Sequence, residues 1–127
     1  MGNPLGRDLT FQERAILSMA IETMTVGRAQ ARAQLEVARY AGPAHPGTHP
    51  CLDLALPDDV ELIPPGSGYP LTLYVAPDRY TVGTIEVFIS AGRLASLEWS
   101  EISLVDDAPE VTEFPSVSRI SAGPHSE

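Results

Sequence analysis

The chain has 127 residues, which is room for one domain and one core but not two. Its formal charge of −9 argues against a nucleic-acid binder, because that role needs a basic face. A hydrophobic fraction of 43% marks a globular chain, and no apolar run approaches the ~18 residues of a membrane span.

A single cysteine, Cys51, excludes an internal disulfide framework and a four-cysteine zinc site within one chain. Residues 1–14 lack the apolar core of a signal peptide, so a cytoplasmic protein is expected. All eight cations are arginine, a bias typical of GC-rich bacterial genomes. Charge is unevenly spread. Residues 1–40 sum to +1 and residues 41–127 to −10. Between Leu94 and Ser118 there are six acids, Glu98, Glu101, Asp106, Asp107, Glu110 and Glu113, and no cation. Such a surface attracts a basic partner and speeds encounter with it, although acidity also serves solubility.

Residues 1–9 read as a flexible lead-in. Thr10 with Glu13 three positions later is a capping box. Ile16, Leu17, Ala20, Ile21 and Met24 then recur at helical spacing, which predicts a helix over residues 11–24. After Thr25-Val26-Gly27, residues 28–35 are rich in good helix formers and predict a second helix, with Ala29 and Ala33 towards the core and Arg28 and Arg32 solvated. From Glu36 the period changes from 3.6 to 2, which predicts a short strand near residues 37–40. Three prolines and two glycines make residues 42–50 irregular. Leu52, Leu54 and Leu56 alternate as a half-buried strand, and Leu71, Leu73 and Val75 mark another.

Residues 84–90 and 93–102 predict a hairpin about Ala91-Gly92. A plain two-residue turn would pair Ile85 with Glu98. A bulged turn would pair Ile85 with Leu97 and gather Ile85, Val87, Ile89, Ala95, Leu97 and Trp99 on one face. Burial of that face favours the bulged register. Phe88 and Leu94 then share the other face with Glu86, Ser96 and Glu98. Asp106-Asp107-Ala108-Pro109 reads as a turn, Phe114-Pro115 and Ile120 can tie the tail to the domain, and residues 121–127 read as a disordered tail. Helices followed by strands predict an α+β fold: an N-terminal helix pair on a meandering antiparallel sheet, in one domain over residues 10–120.

The run from Glu86 to Glu98, an apolar strand, a Gly turn and then Leu94-x-x-Leu97-Glu98, resembles a family of small proteins from high-GC bacteria and the hairpins of some polymorphic-toxin immunity proteins. Glu13-Arg14 and Phe114-Pro115 extend the likeness towards both ends. The resemblance implies a fold and little activity, because those relatives lack an assigned reaction. Relatives often carry cysteines ahead of the Asp-Leu strand, where this chain has His45, Gly47 and His49, so a shared redox role does not carry over.

His45, His49, Cys51 and Asp53 place four ligand-type side chains within nine residues, a set that suits zinc. Their spacing crosses two prolines, Pro46 and Pro50, and the plainer reading is a surface loop beside a buried, inert cysteine. A Cys-His nucleophile is disfavoured, because no arginine lies within ten residues of Cys51 and nearby acids raise a thiol pKa. No phosphate-loop or nucleophile-elbow motif is present. Two readings stand. In the first, a non-enzymatic acidic module binds a basic protein through Phe88, Leu94, Glu98, Glu101, Asp106 and Asp107. In the second, a small metal- or ligand-binding protein, or an enzyme, uses His45, His49, Cys51 and Asp53.

Overall fold

In the computed structural model, which describes residues 7–44, 50–65, 71–77, 81–105 and 113–122, regular structure begins at the capping box. The Thr10 hydroxyl accepts from the Glu13 N–H at 3.0 Å, and the Glu13 carboxylate accepts from the Thr10 N–H at 2.9 Å. Two donors that a helix start leaves orphaned are thereby satisfied. Helix α1, Phe11–Ile21, buries Ile16, Leu17, Ala20 and Ile21. It ends three residues before the predicted stop. The Thr23 and Met24 N–H groups bond three residues back, and Arg28 donates to the Met24 carbonyl. Met24 is still buried, so the apolar stripe outlasts the helix.

Gly27, at φ 85, turns the chain into helix α2, Arg28–Val37. Its buried residues are Ala31 and Gln34, whereas Ala29 and Ala33 are exposed, contrary to the expected facing. The seam is set by what the side chains reach: the Gln34 amide finds the carbonyls of Glu61 and Gly92, and Arg14 of α1 donates to the Leu35 carbonyl at 2.9 Å. Val37 belongs to this helix, and the strand predicted from residue 37 begins at Arg39.

Arg32 holds Glu22 at the end of α1 through two bonds of 2.8 and 2.6 Å. The Arg32 hydrogen bond lowers the Glu22 pKa below its ordinary value. A lowered folded pKa gives stability that is present above the unfolded pKa and lost as pH falls through the folded one. A Glu22→Gln variant should therefore be less stable than the parent at neutral pH. The difference should close as urea titrations are repeated into the acid range, and a gap that persists there would exclude the ion pair as its cause.

Six strands follow: β1 Arg39–Pro43, β2 Leu52–Ala55, β3 Leu71–Val75, β4 Thr81–Ser90, β5 Arg93–Ser103 and β6 Ile120–Ser121. They form one sheet in the order β1-β2-β5-β4-β3-β6, with every pair antiparallel. The fold is α+β with the helices N-terminal to the sheet, as the change of period predicts. The path meanders through β3, β4 and β5, while β2 lies against β5 rather than β3.

Side chains alternate across a strand, so register sorts residues into two faces. One face carries the cross-strand ranks Leu71–Val87–Leu97–Leu52 and Leu73–Ile85–Trp99. These residues join the buried residues of α1 and α2 in one core. At the hairpin, Ser90 pairs with Arg93 across a two-residue turn. Ala91 at φ 52 and Gly92 at φ 79 both take the left-handed region that a type I′ turn requires. Ala95 is then left over as a bulge, so Ile85 pairs with Trp99 and Val87 with Leu97. Neither predicted register holds: the turn is the plain two-residue one, and the bulge sits beyond it. Ala95 drops out of the apolar face and Leu94 takes its place in the core.

The outermost described residues close against this frame, and residues 1–6 of the predicted lead-in lie outside the described residues. Where the sequence predicts a lead-in to residue 9, Asp8 bridges Arg39, the Arg7 carbonyl accepts from the Tyr40 N–H, and Leu9 is buried. Phe114 and Pro115 are buried, and both their carbonyls accept from the Gln12 amide, at 3.0 and 2.8 Å. Ile120 pairs with Val75 and Ser121 with Tyr74, which takes the predicted tail's first residue into β6. Residues 123–127 of that tail lie outside the described residues.

Candidate interaction surface

The face of the sheet opposite the helices is built from the alternate residues of the same strands. Its ranks are Asp53–Ser96–Phe88, then Glu98–Glu86–Thr72, then Ser100–Thr84–Tyr74–Ser121. Apart from buried Ser96 and exposed Ser100, these side chains are half-buried, as expected of the wet side of an antiparallel sheet. Glu86 and Glu98 stand directly opposite each other. Like charges in that relation repel and destabilise the pair. The Ser96 hydroxyl donates to the Glu98 carboxylate at 3.0 Å, which orients that side chain on the face.

The described arginines are all engaged within the fold, and Arg79 lies outside the described residues. Arg7 bonds both oxygens of Glu13 at 3.2 Å and stacks 4.0 Å from the Tyr40 ring centroid. Arg39 pairs with Asp8, Arg32 with Glu22. Arg14, Arg28 and Arg119 donate to the backbone carbonyls of Leu35, Met24 and Ala76. Arg93 is the one arginine within β2 to β5, and it sits at the hairpin end, donating to the Pro57 and Asp58 carbonyls at 3.1 and 2.9 Å. The described cations thus hold the fold together, while three carboxylates, Asp53, Glu86 and Glu98, share the outer face.

The residues expected to form a partner surface separate in the structure. Phe88 lies on the outer face beside Glu86 and Glu98. Leu94 is 1% exposed and cannot supply an apolar contact; the bulge at Ala95 turns it into the core. Glu101 pairs with Gly83 on the helix-facing side, away from Glu98, as a spacing of three along a strand requires. Asp106 and Asp107 lie outside the described residues. Glu86 is the residue that the list of candidates lacked. Its alternation with Phe88 places it on this face, but only the true register shows it opposite Glu98.

Of the proposed metal ligands, His45 and His49 lie outside the described residues. Asp53 is on the outer face, opposite Ser96. Cys51 is 8% exposed, and its sulfur accepts from the Trp99 N–H at 3.3 Å and donates to the Trp99 carbonyl at 3.6 Å. The thiol serves the β5 backbone just where β2 pairing ends at Leu52. Among the described residues no group of three or more His, Cys, Asp or Glu side chains could hold a metal ion. A buried, hydrogen-bonded thiol is inert until it opens to solvent. Iodoacetamide should accordingly label Cys51 much more slowly in the native protein than in urea, and equal rates would show that the thiol is open to solvent through the cleft that it lines.

A cleft of about 690 Å³ lies between the start of α1 and the β1–β2 end of the sheet, with Arg7, Glu13, Tyr40 and Cys51 in its walls. Phe11 stands at its edge, 87% exposed. The indole N–H of Trp99 is buried without a hydrogen-bond partner among the described residues. No helix among the described residues is long and apolar enough to cross a membrane. Compared with protein-family models, curated proteins and solved structures, the chain matches none.

Proposed function

We propose that this chain is a cytoplasmic, non-enzymatic protein-binding module of the immunity-protein type, which docks a basic partner on the outer face of its sheet. The observation that carries the reading is the cross-strand pair Glu86–Glu98, set beside Asp53 and Phe88 on a face whose described arginines are both tethered, Arg39 to Asp8 and Arg93 to the Pro57 and Asp58 carbonyls. Like charges directly opposite each other on a sheet repel. A basic side chain arriving from a partner converts that repulsion into attraction. Phe88 supplies an apolar contact within the charged patch, which a ring of charge alone lacks.

The reading predicts opposite effects on stability and on binding. Glu86→Lys places a cation opposite Glu98, so the variant should melt higher than the parent at low salt and lose most of that gain at high salt. The same change should abolish capture of the basic partner in a pull-down from the native host. Association of the parent with that partner should slow as salt rises, since steering is screened beyond about 8–10 Å. A partner retained equally by Glu86→Lys, or an on-rate indifferent to salt, would overturn the proposal and leave the acidity to solubility.

A further inference from the structure

We draw no further inference here: the strongest candidate, the cleft between the start of α1 and the β1–β2 end of the sheet with Phe11 exposed at its edge, offers only a helix N-terminus, a lone buried cysteine and an apolar rim, and nothing in the structure shows what covers it.

Discussion

Gln34→Leu is expected to lower the free energy of unfolding by about 2–4 kcal/mol, the sum of several buried polar groups left without partners. Gln34 is fully buried in α2, and its side-chain bonds all leave the helix. Its amide nitrogen donates to the carbonyls of Glu61 at 2.8 Å and Gly92 at 2.9 Å. Its amide oxygen accepts from the Leu94 N–H at 2.9 Å. One side chain therefore joins α2, the loop before β3 and the β4–β5 turn. Leucine fills nearly the same space, so the packing survives and the bonds do not. Gly92 keeps a second donor, the Ile63 N–H at 2.8 Å, but Leu94 loses its partner beside the bulge. The Leu94 amide should consequently exchange faster in Gln34→Leu than in the parent, alongside a lower urea midpoint. A variant as stable as the parent would mean that water replaces the amide and that the tie is dispensable.

This residue also shows where a sequence stops being legible. In a helix written Arg-Ala-Gln-Ala-Arg-Ala-Gln-Leu, Gln34 reads as surface, and nothing in the local period marks it as buried. Its carbonyl partners lie 27 and 58 residues away, and they alone make its burial tolerable. By contrast, α1 was legible from Thr10 and Glu13 because a cap is a local device. The alternation of β3, β4 and β5 was legible because one buried face fixes parity. That parity was enough to put Phe88, Glu86 and Glu98 on one face. It was not enough to fix which of them stand opposite, because that depends on where the extra residue sits. Leu94 and Ala95 are both apolar, so either could be the bulge, and Ala91 at positive φ runs against ordinary preference. The place of β2 beside β5 depends on a crossover and left no local trace.

Gly83→Ala should destabilise the protein by about 2–4 kcal/mol, through overpacking of backbone on backbone. Gly83 lies in β4, between Val75 of β3 and Glu101 of β5. A Cβ built there would stand 2.0 Å from the Ser100 carbonyl oxygen and 2.8 Å from the Glu101 Cα. Neither atom belongs to a side chain that can rotate away, so β5 itself must move. Glycine is required here by this close approach, because its φ is not in the left-handed region. Alanine would otherwise help by restricting the unfolded chain, by about 0.4–1 kcal/mol, so the net loss understates the steric term. β4 is a central strand with partners on both sides, which leaves it little freedom to yield. The shift should pass along β5 to Glu98, three residues from Glu101, and change its spacing from Glu86. Gly83→Ala should therefore weaken partner capture at temperatures where the variant is still folded, and amide exchange should rise across residues 98–101. Unchanged stability and exchange would mean that the two strands have room for a methyl group, and the spacing of the acidic pair would then have to be set elsewhere.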